Sequence, residues 1–408
     1  MIDHRKLGRE LELFHSDPLV GAGLPIWLPA GAAARHAVEV YIREEERRQG
    51  YQHVYSPPLA KREMYERSGH LAKFDDDMFP PMADGEEELM LRPSICPHHA
   101  MVYKARGRSF RDLPLRVAEL GTMFRAERSG VLSGLSRVRA ISLNDAHTFC
   151  ALEQVGGEVA DILALMGKAH AALGFVPAGF RLSLRGPSGR YLGAAADWDL
   201  AEDLLRRVLI EADVPFVEVP GEAAFYGPKI DVQIVDSSGR ELSLATVQID
   251  FHQPAQFDLS YVDSDGQRRC PVMVHRSIIG SFERLFAHLI EVHKGAFPVW
   301  YAPMQVIVAP IGEQQADAAA RFARRCVESG LRAEAAFDGS LGARVRDAAL
   351  RRVPYVAVIG AREAAADEVS LRLRDGRELA AQSSADALAL IREVAESRSL
   401  SLLPLVDA

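Results

Sequence analysis

The sequence predicts a mixed molecule in two parts, an N-terminal α+β region and a C-terminal α/β unit, and three observations carry that reading. Two partly alternating segments, Ile230–Asp236 and Glu241–Asp250, flank a Ser-Ser-Gly-Arg turn, as an antiparallel hairpin requires. From Met304 onward strand-like and helix-like stretches take turns, the pattern of parallel strands joined by helical crossovers. A chain of 408 residues with 48% hydrophobic side chains has enough apolar surface for two or three domains without disulfide or metal staples.

Taken in order, Ala33–Gly50 sets Val38, Val40 and Ile42 among Arg and Glu and stops at a glycine, which predicts an amphipathic helix. Further helices are expected over Leu152–Leu173, Leu200–Ala212 and Ile278–Lys294. In the hairpin, alternation puts Gln248 and Asp250 on one face, so polar groups could point into a cleft. The segment Phe297–Pro303 marks a boundary near residue 300, giving domains 1–300 and 301–408. Beyond it come a strand from Gln305, helices over Glu313–Gly330 and Ala343–Val353, strands at Leu331–Phe337 and Tyr355–Gly360, a hairpin over Val369–Leu379, and a helix over Ala385–Ser397.

A net charge of −8 argues against bulk electrostatic capture of nucleic acid and leaves room for a local basic face. The cysteines at 96, 150, 270 and 326 show no close pairing, and the first residues carry no apolar leader, so a reducing cytoplasm is the expected setting. No run approaches about 18 apolar residues, so no membrane partner is expected.

Three clusters could carry chemistry. Cys96-Pro-His98-His99 offers zinc's preferred ligand types but lacks the second pair of a structural finger, so a small buried thiol beside two surface histidines is the competing reading. Asp145-Ala-His147 and His275-Arg276 lie far along the chain, and only the fold could bring them near. Arg125, Arg128, Arg137, Arg139, Arg276 and Arg284 suit triphosphate oxygens, and no Walker-type glycine loop is present, so nucleotide would be held by arginines on a sheet. Arg344, Arg346, Arg351 and Arg352 could meet RNA phosphates, against the alternative of a solvated helix face.

Several strings together resemble the class II threonyl-tRNA synthetases: Asp3-His-Arg-Lys-Leu-Gly, Arg92-Pro-Ser-Ile-Cys-Pro, Phe124-Arg-Ala-Glu-Arg-Ser-Gly, Asp145-Ala-His-Thr-Phe, Ala224-Phe-Tyr-Gly-Pro-Lys and His275-Arg-Ser-Ile-Ile-Gly-Ser-Phe-Glu-Arg. Leu350-Arg-Arg-Val-Pro-Tyr is similar to the family's anticodon-binding domain. The resemblance implies a catalytic domain with a mainly antiparallel sheet flanked by helices, then an anticodon-binding α/β domain. It implies Zn²⁺ on Cys96, His147 and His275, with Asp145, Tyr226 and Gln248 lining a threonine pocket. Under the same resemblance His98 and His99 become bystanders.

For ATP with Mg²⁺ the resemblance implies Arg125 on the α-phosphate, Glu127 on the adenine side, Arg137 as a further phosphate contact, and Arg284 near the γ-phosphate and adenine. Ile141, Ser243 and Thr246 fall on the nucleotide side, and His70 resembles a histidine that assists transfer to tRNA. The implied activity is threonine-tRNA ligation by a homodimer, through threonyl-adenylate. A threonine-adenylating paralogue with another acceptor and a non-catalytic tRNA-binding module are the alternatives. The family's N-terminal editing module is missing from this sequence, so serine mischarging is expected. Ile141 stands where the family usually has an adenine-stacking phenylalanine, Leu143 and Ser243 where it has glutamines, and Ser94 where it has a methionine. The loss of an aromatic face implies nucleotide binding weaker by about 1 kcal/mol. Asp338-Gly339-Ser340 and Ala309-Pro310 also depart from the family, which leaves an ordinary or a relaxed anticodon requirement as the expectation.

Overall fold

The computed structural model describes residues 2–187 and 191–404. The N-terminal part is organised by one eight-stranded sheet. Its strands are β1 (Gln52–His53), β2 (Leu115–Phe124), β3 (Ala140–Cys150), β4 (Gly179–Leu184), β5 (Phe216–Pro220), β6 (Lys229–Val235), β7 (Glu241–Asp250) and β8 (Val272–Ser277). The spatial order is β5-β4-β6-β7-β8-β3-β2-β1. All inner pairings are antiparallel, while β5 on β4 and β1 on β2 are parallel, so the sheet is mainly antiparallel with a parallel pair at each edge. The expected hairpin is β6-β7, with a register shift between Val232 and Gln233.

One face of the sheet is covered by helices α1 (Pro29–Arg48), α3 (Val155–Leu173), α4 (Ala195–Glu211) and α5 (Phe282–Val292), while α2 (Cys96–Lys104) packs beside β2 and β3 in a smaller core of its own. Helix α1 begins at Pro29, four residues before the expected start, because proline fits the first turn, where its missing N–H costs nothing. Its inward stripe Ala34, Val38, Tyr41, Ile42 packs into the main core. Glu46 continues that stripe as a buried charge, accepting bonds from Arg276 at 2.7 Å, Asn144 at 2.8 Å and His53 at 2.6 Å. A buried carboxylate is tolerable only with such partners.

Helix α5 starts at Phe282, not at Ile278 as the periodicity suggested. Gly280 sits at φ +67°, outside the right-handed helical region, and the Ser281 hydroxyl accepts the Arg284 N–H at 3.1 Å as an N-cap. A Cβ at position 280 would lie 2.1 Å from the Leu244 carbonyl oxygen, so only glycine lets the chain pass this close to β7. That turn places Arg284 at the end of the sheet.

The C-terminal sheet contains β9 (Val306–Pro310), β10 (Ala333–Ala335), β11 (Tyr355–Ile359), β12 (Glu368–Leu373) and β13 (Glu378–Ser383), in the order β10-β9-β11-β12-β13. The first three strands run parallel and the last two add antiparallel pairs. Helices α6 (Ala316–Glu328), α7 (Leu341–Leu350), α8 (Ala361–Ala366) and α9 (Ser384–Glu396) accompany them. The six-residue α8, which the hydrophobic pattern did not signal, has no buried residue. A separate apolar cluster including Val306, Phe322, Tyr355 and Ile391 forms this unit's core. Between the sheets, the Trp300 indole donates to the Ala172 carbonyl at 3.1 Å, and Arg332 reaches the Trp300 carbonyl at 2.8 Å.

Candidate functional site

Strand alternation builds the site. On β3, Ile141, Leu143, Asp145 and His147 face one side, while Asn144 turns to the other side and bonds Glu46. Register then brings neighbours alongside: His147 pairs with His275 on β8, and His275 with Gln248 on β7. The result is a cavity of about 310 Å³. Its lining includes Arg125, Glu127, Arg137, Ile141, Asp145, His147, Tyr226, Ser243, Thr246, Gln248, His275 and Arg284.

At one end three ligand-type atoms converge. Cys96 Sγ and one ring nitrogen each from His147 and His275 lie within 4.8 Å of one another, and all three residues are buried. Proton positions follow from the partners. Burial alone would raise the Glu119 carboxyl, but bonds from His99 and Ser56 and the Arg92 guanidinium hold it near about 2, so it only accepts. His99 Nε2 therefore donates to Glu119 at 3.3 Å, and its Nδ1 accepts from His147 Nδ1 at 2.7 Å. On the other ring, His275 Nε2 donates to Asp250 at 2.9 Å. In the neutral tautomers that these bonds select, His147 Nε2 and His275 Nδ1 both offer lone pairs, 3.0 Å apart. Burial holds His147 well below the usual imidazole range, so that ring is neutral. Two facing lone pairs beside a thiol are a donor set that a cation completes, and the residues fit zinc's preferred ligand types.

Burial pushes the Cys96 thiol up to about 12, and the Ser94 hydroxyl lies 2.9 Å from its sulfur. Burial also raises Asp145 to about 7. Its carboxylate lies 3.9 Å from His147 Nε2, beside the three converging atoms. The Tyr226 ring stacks on His275 at 4.8 Å, and its hydroxyl donates to Gln248 Oε1 at 2.5 Å. A second described cluster, Asp3, His4 and Glu291, is already spent: Arg5 holds Asp3, and His4 is bonded through both nitrogens, to Glu291 and to the Leu135 N–H.

The other end is cationic. Arg125 is packed on Phe74 at 5.1 Å, and its buried Nε has no protein partner. Arg284 is held by the Ser136 and Ser243 carbonyls at 3.1 and 2.7 Å. Burial lowers the pKa of both guanidiniums, and at Arg284 the like charges of Arg125 and Arg137 add to that. Such a cluster favours an anion. Arg137 is paired with Glu127 through Nε and Nη2, at 3.0 and 2.8 Å.

A second cavity of about 350 Å³ shares Ser94, Arg125, Tyr226, Lys229 and Gln248 with the first, and its far wall holds His70, Lys73, Phe74 and Phe225. His70 Nδ1 bonds the Ser68 hydroxyl at 2.8 Å, and burial with the charge of Arg125 lowers its pKa to about 3. A neutral imidazole of that low basicity suits hydrogen bonding better than proton abstraction.

Other expectations need correction. His98 and His99 are not at the surface: both are buried, because α2 points them inward, and His99 is no bystander but a partner of His147. Arg276 falls on the far face of β8, where it pairs with Glu46 and lies over Tyr51 at 4.2 Å. Arg128 is exposed outside the cavity, and Arg139 bonds the Glu127 carbonyl at 2.9 Å. Of the basic helix residues, Arg344 is turned onto the carbonyls of Pro310, Phe337 and Asp338, and Arg351 pairs with Glu334 at 2.6 Å. Arg346 and Arg352 of that set remain as solvent-facing charges. Glu119 is a site residue that the sequence did not signal. The signal for His99 was its spacing of three from Cys96 on one helix, which puts both on one face.

Comparison with known proteins gives a consistent match. Residues 77–293 match the tRNA synthetase class II core domain (G, H, P, S and T), and residues 305–394 match an anticodon binding domain. The chain is 44% identical over 400 residues to a threonine-tRNA ligase of Exiguobacterium, covering 97% of this chain and 62% of that protein. It is 46% identical over 378 residues to that of Thermus thermophilus, covering 91% of this chain and 57% of that protein. The chain thus spans roughly three fifths of the length of these curated relatives. A crystal structure described as the RNA binding domain of threonyl-tRNA synthetase from Cryptosporidium parvum superposes with a TM-score of 0.91 at 34% identity, covering 96% of this chain and 98% of that one. No helix among the described residues is long and apolar enough to cross a membrane.

Proposed function

Because the chain belongs to the class II aminoacyl-tRNA synthetases, on the threonine-tRNA ligase branch, we propose that it activates L-threonine with ATP and transfers it to tRNA. The observation that carries this reading is the convergence of Cys96, His147 and His275 at one end of a cavity whose other end presents the unpartnered Nε of Arg125.

In this reading Cys96, His147 and His275 hold zinc. When bound, the metal supplies an open coordination position for the amine and hydroxyl of a β-hydroxy amino acid, a position that valine leaves unfilled. Asp145 accepts a hydrogen bond from the substrate hydroxyl, and the bonded pair Tyr226 and Gln248 walls the pocket. The threonine carboxylate attacks the α-phosphorus of Mg²⁺-ATP. A phosphorus–oxygen bond forms to the carboxylate, the bond to the β-phosphate oxygen breaks, and pyrophosphate leaves with its electrons. Arg125 meets the charge that develops on the α-phosphate, and Arg284 orients the outer phosphates and adenine. Glu127 lies on the adenine side and releases Arg137 toward phosphate, while Ile141, Ser243 and Thr246 complete that wall.

In the second step a terminal ribose hydroxyl of tRNA attacks the anhydride carbonyl, and AMP leaves. The second cavity offers room for that ribose, with His70 as a hydrogen-bonding partner. We read the chain as two domains that divide near residue 300, the later one for the anticodon stem-loop, and as a homodimer. Exposed Val40 on α1 and exposed Tyr55 just after β1, with Arg43 lying over the Tyr55 ring at 5.7 Å, mark an apolar area suited to a second copy.

Amino-acid-dependent ATP/pyrophosphate exchange tests the activation step, followed by charging of threonine tRNA. Exchange with threonine, weaker exchange with serine and none above background with valine is the expected result. Threonine exchange without charging would favour a different acceptor. Absence of exchange would favour a binding module and contradict the proposal.

A further inference from the structure

We propose that His99 and Glu119 are positioning residues that fix the tautomer and ring orientation of His147 through a carboxylate–imidazole–imidazole relay. This rests on the zinc reading above and extends it to two side chains that touch neither substrate nor metal.

Glu119 is the fixed end. It accepts from Arg92 Nη2 at 3.0 Å and from the Ser56 hydroxyl at 2.6 Å, and Arg92 itself is anchored on the Thr122 carbonyl at 2.7 Å. Gly121 leaves space for that pair: a Cβ there would lie 2.6 Å from Arg92 Nη2 and 2.8 Å from Glu119 Oε1. His99 passes the constraint on, donating to Glu119 from Nε2 and accepting the His147 Nδ1 proton. An imidazole with its Nδ1 proton held in this way can offer only Nε2 as a lone pair.

The two rings of the site are thus oriented by different means. His275 has its carboxylate in direct contact, Asp250 at 2.9 Å, whereas His147 reaches its carboxylate through a second histidine. Water cannot replace His99, which has no exposed surface. Helix α2 also carries Cys96 and His99 three residues apart, so one rigid element holds a ligand and the residue that aims another.

The test compares the wild-type protein with His99→Leu, His99→Gln and Glu119→Gln. It measures zinc affinity by competition with a chromophoric chelator, and the rise in melting temperature that zinc confers on the metal-free protein. Gln at 99 can accept from His147 and donate to Glu119, so it is the conservative variant. The relay predicts zinc binding weakened about 10–100-fold in His99→Leu, with most of it recovered in His99→Gln, and a smaller loss in Glu119→Gln. It also predicts a raised KM for threonine with an unchanged KM for ATP. A merely structural role would lower the melting temperature equally with and without zinc and leave affinity untouched, and that result would overturn the proposal. If His99→Leu does not fold, the Glu119→Gln affinity decides, and equality with wild type overturns it. A wild-type protein that takes up no zinc would instead sink the metal reading, and the relay with it.

Discussion

Arg125 and Glu119 show how two charges in one structure come to opposite uses. Glu119 has every oxygen committed to Ser56, Arg92 and His99, so its charge is satisfied before any ligand arrives. The Arg125 Nε is buried and unpartnered, which leaves a donor for a ligand's anion. Replacing Arg125 by Ala should therefore lower kcat/KM for threonine-dependent exchange about 10²–10³-fold while leaving thermal stability nearly unchanged. Equal loss of both would mean that Arg125 is structural. Glu119 carries a pH signature of the other kind. Its folded pKa of about 2 lies below the unfolded value of 4.5, so its stabilisation is complete above the unfolded pKa and is lost as pH falls through the folded one. The stability advantage of wild type over Glu119→Gln in urea unfolding should shrink steadily from pH 4.5 toward pH 2. A constant difference across that range would contradict the assignment.

At the scale of elements, one short turn aims a functional side chain. Gly280 and Ser281 end β8 and open α5, which sets Arg284 against the Ser136 and Ser243 carbonyls. A Gly280→Ala substitution should cost about 1–3 kcal/mol through the clash with Leu244 and should raise the KM for ATP more than that for threonine. Unchanged unfolding and kinetics would refute that role. Much of this scale was legible in the sequence. The β6-β7 hairpin, the alternation that puts Gln248 and Asp250 on one side, and the later helices all follow from local periodicity. The start of α5 was not, because Ile278 and Ile279 continue an apolar pattern and only the left-handed glycine breaks it. The burial of His99 was not legible because the adjacent pair His98-His99 suggests a surface, whereas α2 is packed against β3 with almost every side chain covered. Burial of that kind depends on distant partners such as Glu119, which local pattern does not contain.

At the scale of the molecule, the C-terminal unit is tied to α1. Arg398, just beyond α9, bonds Glu44 at 2.5 Å and lies over the Tyr41 ring at 4.5 Å, and Arg374 reaches the Phe297 carbonyl. Arg398→Ala should lower the stability of the C-terminal unit by about 1 kcal/mol in urea unfolding, and no change would mean that this contact is incidental. The same α1 carries Glu46 beneath the sheet and part of the exposed area offered to a second copy, so sedimentation should show a particle of twice the chain mass, against a monomer if that area is ordinary surface. The order of motifs along the chain disclosed the architecture, yet the site exists only because β3, β8 and α2 bring residues 96, 147 and 275 together. X-ray absorption at the zinc edge of the purified protein tests that convergence most directly. One sulfur ligand near about 2.3 Å with nitrogen ligands near about 2.0 Å, at one metal per chain and lost in Cys96→Ser, is the predicted result. A metal-free protein that still activates threonine, or a metal without a sulfur ligand, would contradict it.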